Sequence, residues 1–267
     1  MKIIIKHCFW DILRVVTSCK NCGNTLAGKF CSHCGQKNTV DRINFKYLSQ
    51  QFTTDVLQFE RGFLYTIASL FYRPGQVIND YINGKRAPYT KPFSYLVVII
   101  AIYIYLSITF GFGTIMQDLL TGIQNGLTNE ERESPSTIVS VLSWFNSHYI
   151  ASVLVSVPFF ALATRLAFYK SALNLYEHFV LNLYLSCQRM IIYAILGPLS
   201  LLWKGFEPIP VVFSLLYTIF AYFQIFNQFS LKRRTISILA TYLIFTTLAL
   251  LLLVSITVLH IEFLASD

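Results

Sequence analysis

The charge-free stretch from Pro92 to Gln117 constrains the fold more than any other feature. Its 26 residues consist mainly of Ile, Val, Leu, Tyr and Phe, and about 20 apolar residues are enough for a helix to cross the hydrocarbon core of a bilayer. Only 13% of the 267 residues are charged, against about 25% in soluble globular proteins. Both features predict an integral membrane protein and exclude an ordinary soluble domain.

Further apolar segments predict additional membrane spans. Residues 208–231 and 235–261 are charge-free and of spanning length, and residues 134–164 are charge-free apart from His148. Between residues 165 and 204 the longest charge-free stretch has only 14 residues, so a span there must begin before Arg189. We therefore expect an all-α integral membrane protein with about five transmembrane helices in residues 93–267. The spans are placed at residues 93–113, 150–166, 179–203, 211–230 and 236–259.

The positions of Lys and Arg favour five spans with the N-terminus in the cytoplasm and the C-terminus outside. This topology places Arg165 and Lys170 inside, together with the cluster 232–234, as the positive-inside rule requires. Without the third span that cluster would lie outside. A membrane hairpin bent at Gly197-Pro198 and a position in the interface remain alternatives for residues 171–203.

The positive charge of the chain is concentrated in its first third. Residues 1–93 contain 13 Lys and Arg and 5 Asp and Glu, whereas residues 94–267 contain 8 of each kind. Membrane orientation and anionic headgroups select positive charge beside the first span, so the expected partner is the lipid bilayer rather than nucleic acid. Charged residues interrupt residues 1–16, so no cleaved signal peptide is expected. The expected juxtamembrane basic residues are Lys85, Arg86, Lys91, Lys232, Arg233 and Arg234.

Four cysteines predict a metal site in a module over residues 1–40. They form two Cys-x-x-Cys-Gly knuckles separated by eight residues, with Cys19 and Cys22 in the first and Cys31 and Cys34 in the second. Each knuckle brings two thiolates to one metal ion, and four thiolates complete the tetrahedral shell of structural zinc. The expected cofactor is one structural zinc ion in a zinc-ribbon-like module.

Other interpretations of these residues are weaker. His33 lies inside the second knuckle and could replace a cysteine, but a surface histidine is the simpler interpretation. A redox dithiol would need only one of the two pairs. Cys8 and Cys187 stand alone and are interpreted as an interfacial thiol and an apolar filler of a helix.

A helical juxtamembrane region is predicted over residues 41–92. Apolar residues recur at spacings of three or four from Phe45 to Phe63, which is typical of an amphipathic helix. The uncharged run between Arg61 and Arg73 has eleven residues. That run is too short to span a bilayer and fits a helix in the interface or a packed element.

Polar residues on the predicted third span form a polar seam. Their spacing places them within about half of the helix circumference. The seam either faces a protein-lined polar cavity at the cytoplasmic edge of the membrane or lies among lipid headgroups, which is the simpler interpretation. Its arginine needs a partner from another span, from water or from a lipid phosphate. The seam consists of Asn174, Glu177, His178, Asn182 and Arg189.

Motifs in the first third of the chain carry a resemblance to a known family. They are the four cysteines with Gly35 and Gln36, then Arg73-Pro74-Gly75, Tyr81, Gly84-Lys85-Arg86, Tyr89 and Pro92. With these motifs the chain resembles the bacterial domain-of-unknown-function family 3667. The resemblance implies a bacterial inner-membrane protein with a cytoplasmic zinc ribbon, and it brings no established activity or catalytic residue.

Three functional hypotheses follow. No phosphate loop, G-x-S-x-G or H-E-x-x-H motif occurs, which favours a non-enzymatic membrane protein. Its zinc ribbon would be structural or would dock a cytoplasmic protein partner or a second copy of the chain. The alternatives are a transporter or lipid-handling protein that uses the polar seam, and a membrane-embedded enzyme with Glu177 and His178 as acid and base.

Overall fold

The computed structural model describes residues 18–54, 62–112, 137–202 and 208–265, together with Leu120, Gly122, Gly126 and Phe206. In these residues the regular elements are helices, and the cysteine module adds two isolated β-bridges. The expected all-α class is confirmed for this part of the chain. The helices are α1 Phe45–Thr54, α2 Phe63–Tyr72, α3 Pro74–Ile82, α4 Pro92–Phe110, α5 Thr137–Ser147, α6 Tyr149–Ala167, α7 Leu175–Leu196, α8 Ile209–Ile225 and α9 Leu231–Ala265, with a 3₁₀ turn at Gly197–Leu201.

Three helices in the described residues are long and apolar enough to cross a membrane. They are α4, α7 with the turn that follows it, and the segment Leu231–Val258 of α9. Helices α5 and α6 enclose an angle of 106° and add a fourth crossing if they form one broken span. Helix α8 is apolar but has only 17 residues. The chain is a helical membrane protein, and the number of five spans stays a prediction.

Helix α7 is the central helix of the bundle. In its apolar window 67% of the residues are buried, against 33% in α4 and 17% in α9. Its start is fixed by a capping box, in which the side chains of Asn174 and Glu177 each accept the other's backbone N–H, at 2.9 and 2.7 Å. This cap satisfies N–H groups that the first turn leaves without partners. Helix α7 therefore begins four residues before the predicted third span.

Helix α1 covers the first part of the predicted amphipathic helix. Leu48 is buried, and Gln51 is buried with its amide 3.0 Å from the hydroxyl of Tyr81. Phe45 and Phe52 of the same helix are largely exposed, although the Phe52 ring contacts that of Phe93, with 5.6 Å between ring centres. The predicted continuation through residues 55–61 lies outside the described residues, as do Cys8, the rest of residues 1–17 and most of the predicted external loop.

Helix α2 runs across the end of the bundle at which α4 begins. The backbone N–H of Thr90 donates to the Thr66 hydroxyl at 2.9 Å, and the Gln188 amide of α7 donates to the carbonyl of Ile67 at 3.0 Å. Its other face is open, with Tyr72 82% exposed. The packed interpretation of this short segment thus fits one face of α2, and its position in the membrane interface stays a prediction.

The Arg73-Pro74-Gly75 break allows α3 to pack closely on α8. Pro74 occupies the first turn of α3, where a missing N–H is tolerated. A Cβ atom on Gly75 would lie 2.5 Å from Cβ of Gln224, so this contact requires glycine. The backbone N–H of Gly75 also donates to the Gln224 side chain at 3.2 Å. The motif thus joins the N-terminal region to the last third of the chain.

Candidate metal centre and buried polar network

The two cysteine knuckles have the same backbone geometry. In each, the glycine N–H donates to the carbonyl of the first cysteine, Gly23 to Cys19 at 2.8 Å and Gly35 to Cys31 at 2.9 Å. Both glycines have positive φ, 78° and 73°, which glycine adopts without a steric penalty. The Cys-x-x-Cys-Gly pattern therefore produces two equal turns.

The two turns face each other, so that the four sulfur atoms converge. The Sγ atoms of Cys19 and Cys34 are 3.6 Å apart, those of Cys22 and Cys31 are 3.5 Å apart, and all four lie within 4.8 Å of one another. A tetrahedral ion with metal–sulfur bonds of about 2.3 Å separates its sulfur ligands by about 3.8 Å. The four predicted ligands therefore fit one four-coordinate metal ion.

The neighbouring groups support this assignment. His33 is exposed and lies outside the group of four. The hydrogen bond with the Asn21 side chain lowers the pKa of the Cys34 thiol to about 6, whereas burial and the three other thiols raise the pKa of Cys22 to about 12. Cys187 is fully buried in α7, far along the chain from the module. The candidate metal centre thus involves Cys19, Cys22, Cys31 and Cys34.

Gln36 attaches the cysteine module to the helical body. Its buried amide donates to the carbonyl of Gly84 at 2.9 Å and accepts from the backbone N–H groups of Arg86 and Ala87 at 2.9 and 3.1 Å. These partners lie in the turn between α3 and α4. Gly84 has φ 102°, and a Cβ atom there would lie 2.9 Å from Cδ of Lys20. This first joint therefore depends on both glutamine and glycine.

A second joint connects the linker after the module to the start of α7. The guanidinium of Arg42 forms a bidentate pair with Glu177, with Nε–Oε1 2.8 Å and Nη2–Oε2 2.9 Å, and it donates to the carbonyl of Ala172 at 2.6 Å. Asn174 donates to the carbonyl of Ile43 at 2.9 Å. The Glu177 side chain is 3% exposed, against 62% for Arg42. Glu177 thus belongs to a structural ion pair.

A cleft of about 350 Å³ lies between the two joints, bordered by the module, the linker, the end of α3 and the turn before α7. Its lining includes the paired Arg42 and Glu177. Lys20, also in the lining, donates to the carbonyl of Val40 at 2.9 Å. Arg42, Glu177 and Lys20 thus bind other protein groups, and the cleft separates the two joints.

His178 and Asn182 belong to a hydrogen-bond network that links α6, α7 and α8. Nδ1 of His178 and Nδ2 of Asn182 both lie 3.0 Å from the Thr164 hydroxyl, and Oδ1 of Asn182 accepts from Tyr222 at 2.7 Å. Thr164 donates its own hydrogen to the carbonyl four residues earlier. His178 therefore donates from Nδ1, and its Nε2 accepts from Ser171 at 3.3 Å. One neutral tautomer satisfies the whole network.

The structure places most of the polar seam inside the protein. Glu177, His178 and Asn182 are 2%, 0% and 3% exposed. They do not lie among headgroups, because α7 is surrounded by α4, α6 and α8. Side chains such as Thr164 and Tyr222 occupy the place of the predicted polar cavity. These three seam residues therefore stabilise the packing of helices.

Arg189 stands apart from this network. Its Nη2 donates to the Ser186 hydroxyl at 2.8 Å, and Cζ lies 4.9 Å from the ring centre of Phe160. Within the described ranges, no carboxylate lies at ion-pair distance from it. Arg189 is the seam residue whose charge the described protein groups do not compensate.

The predicted juxtamembrane basic residues differ in their surroundings. Arg86 belongs to the protein interior more than to the membrane surface, since Cζ lies 4.4 Å from the ring centre of Tyr47 and its guanidinium donates to the carbonyls of Tyr81 and Asp41. The others lie at the ends of helices. Lys85 pairs with Asp80 at 3.0 Å, Lys91 precedes α4, and Lys232, Arg233 and Arg234 lie in the first turn of α9.

Sequence reasoning missed Arg42. It lies in a linker beside Asp41, 135 residues from its partner Glu177, and no spacing rule connects positions so far apart. The role of Gln36 had an indirect signal, because Gln36 and Gly84 both belong to the motifs that carry the family resemblance. Their hydrogen bond brings these two motifs into contact.

The comparison with known protein families supports the resemblance. Residues 60–104 match the model of a family described as "Protein of unknown function (DUF3667)", which confirms the resemblance to the family expected from the motifs. The matched segment contains α2, α3 and much of α4, and it does not include the four cysteines. Neither a curated protein nor a solved structure matches the chain.

A double-mutant cycle on Arg42 and Glu177 tests the second joint. Arg42→Ala leaves the buried carboxylate without its charged partner, so we expect it to destabilise the protein more than it does in a Glu177→Gln background. The expected coupling is about 1–2 kcal/mol, below the effect of breaking a fully buried pair because Arg42 is exposed. Chemical unfolding in detergent measures it.

The pair Lys85 and Asp80 provides the control. Its side chains are 49% and 21% exposed, so the same cycle should give a coupling of about 0.5 kcal/mol or less. Equal coupling in the two pairs would contradict the structural role of the second joint.

Proposed function

We propose that this chain is a multi-span membrane protein whose metal-bound module forms a fixed, non-enzymatic docking surface on the cytoplasmic side of the membrane. One observation supports this most. The module is attached to the helices by two polar joints, around Gln36 and Arg42, while its second knuckle remains exposed. A module held in this way presents one surface in a constant orientation.

The docking surface is centred on Phe30, which is 62% exposed. Lys29 and Lys37 are exposed beside it, and a β-bridge joins Phe30 to Lys37. An exposed aromatic residue between cations suits a protein partner that offers an apolar pocket with an acidic rim. A cytoplasmic protein of this kind is the partner we propose, and a second copy of the chain is the alternative.

Substitution of Phe30 tests the docking function. We expect a cytoplasmic protein to co-purify with the full chain in mild detergent and to be lost from Phe30→Ala, because removal of an aromatic anchor typically costs 2 kcal/mol or more, roughly thirtyfold in affinity. Phe52→Ala is the matched control, since Phe52 is 58% exposed outside the module. Quantitative mass spectrometry measures the partner.

The docking proposal has two outcomes that would contradict it. One is a set of co-purifying proteins that is identical for wild type and Phe30→Ala. The other is equal loss from Phe30→Ala and Phe52→Ala, which would indicate adhesion to exposed aromatic surface in general.

We further propose zinc as the metal of the module. Four thiolates with the observed sulfur separations suit zinc and fill its coordination shell, so the ion would stabilise the module without catalytic work. We expect one zinc ion per chain by metal analysis and loss of that zinc in Cys22→Ser. Cys187→Ala, which removes a buried thiol outside the module, should keep it. Full zinc content in Cys22→Ser would disprove the assignment.

The membrane topology is proposed as five spans with the N-terminus in the cytoplasm. The apolar α8 and the basic residues at the start of α9 support it. Reporter fusions after Arg132, Lys170, Glu207, Arg234 and Asp267 should report outside, inside, outside, inside and outside. An outside signal at Arg234 would remove the third span and overturn the topology.

The two alternative functions have unequal support. Acid–base catalysis by Glu177 and His178 is disfavoured, because their polar atoms bind other protein groups and both side chains are buried. A lipid-handling function is favoured over it by one observation, the uncompensated guanidinium of Arg189 within a helix that has the length and composition of a membrane span.

A further inference from the structure

We propose that Arg189 binds the phosphate group of a membrane phospholipid, beside Phe160 of α6 and within about two turns of the level where α4 begins. This site is separate from the docking surface on the cysteine module and does not depend on it. Its ligand class is a lipid phosphodiester, which the bilayer itself supplies.

The depth of Arg189 in the bundle follows from contacts between α4 and α7. The Tyr184 hydroxyl donates to the carbonyl of Thr90, two residues before α4, at 2.6 Å. Gln188 lies 3.4 Å from the hydroxyl of Tyr95, in the first turn of α4. Arg189 is five residues beyond Tyr184, about 7.5 Å along the axis. It is therefore about two turns or less from the level where α4 begins.

From that depth the guanidinium is within reach of the headgroup layer. The polar region on each side of the hydrocarbon core is about 5–7 Å thick, and an arginine side chain can extend its charged end toward it while its stem stays in apolar surroundings. An arginine one to two turns inside the bundle can therefore extend its guanidinium to a lipid phosphate.

The chemistry of the guanidinium fits an anion with two adjacent oxygens. Arg189 uses Nη2 to bind Ser186, and its Cζ lies over the ring of Phe160. The cation–π contact and the hydrogen bond orient the group without neutralising its charge. An arginine edge presents parallel N–H donors that match phosphate geometry. The oriented group would thus direct its remaining donors toward a phosphate.

The neighbouring helices leave access from the lipid. Phe160 of α6 stacks on Phe245 of α9 at 3.7 Å, which joins these two helices beside Arg189. Only 17% of the apolar window of α9 is buried, so most of this helix faces lipid. The Arg189 side chain is itself partly exposed. A phospholipid lying along α9 could therefore bring its headgroup to the guanidinium.

An unpaired positive charge at this depth requires compensation. Transfer of an arginine toward the hydrocarbon core is unfavourable, and the described residues provide a hydroxyl and a ring rather than a carboxylate. A lipid phosphate supplies the missing negative charge from outside the protein.

Lipid binding to the wild-type full chain tests the site directly. Detergent-purified, metal-loaded protein is titrated with phosphatidylethanolamine, with diacylglycerol of the same acyl chains, or with inorganic phosphate, and bound lipid and thermal stability are measured. We expect retention of phosphatidylethanolamine and a rise in Tm with that lipid. Diacylglycerol should give neither effect. Stabilisation by inorganic phosphate equal to that by the phospholipid would overturn the lipid assignment.

Variants locate the binding to Arg189. Arg189→Leu should weaken retention of phosphatidylethanolamine about tenfold, the loss expected for a charge-assisted hydrogen bond, and Arg189→Lys should weaken it less. The control is Arg233→Leu, because Arg233 also lies over an aromatic ring, 4.5 Å from Phe229, but at the start of α9. This control should keep wild-type retention.

Three results would overturn the proposal. The first is unchanged retention in Arg189→Leu that is folded by circular dichroism. The second is an equal loss in Arg233→Leu, which would indicate general surface electrostatics. The third is equal binding of phosphatidylethanolamine and diacylglycerol to wild type, and this arm remains decisive even if Arg189→Leu does not fold.

Discussion

The buried carboxylate of Glu177 connects the start of α7 to the linker that follows the cysteine module. A carboxylate that is 3% exposed is unfavourable unless charge and hydrogen bonds compensate it. Arg42 from the linker and the backbone N–H of Asn174 both bind it. The same carboxylate therefore caps the central helix and holds the linker that carries the cysteine module. Breaking this interaction would affect a helix end and a module attachment at once.

The features predicted from sequence were those encoded over short distances. The spacing of Cys19, Cys22, Cys31 and Cys34 sufficed to identify four convergent sulfur atoms, because each knuckle is a local turn and only one metal can satisfy both. Long apolar runs similarly identified helices of spanning composition such as α4. In these cases the sequence pattern directly reflects the physical requirement, which is metal ligation by two local turns or a helix of spanning length.

Features that depend on distant pairs could not be predicted. The polar pattern of Glu177, His178 and Asn182 indicated a special face of α7, but it did not show that Arg42, Thr164 and Tyr222 would satisfy it. The surroundings of Arg86 could not be predicted either. A basic residue before a span is ordinarily a surface anchor, whereas the aromatic partners of Arg86 lie in two different helices. Periodicity reveals which residues share a face, and tertiary packing decides what that face meets.

The separation of the two joints along the chain has a consequence for the order of events during synthesis. The partners of Gln36 lie 48 to 51 residues later in the sequence, whereas the partner of Arg42 lies 135 residues later. At about 5–20 residues per second, these intervals correspond to roughly 3–10 s and 7–27 s of elongation. The metal-binding turns are complete before either partner exists. The nascent module therefore passes through a tethered but movable stage, and it acquires its final orientation only after the central membrane helix has been made.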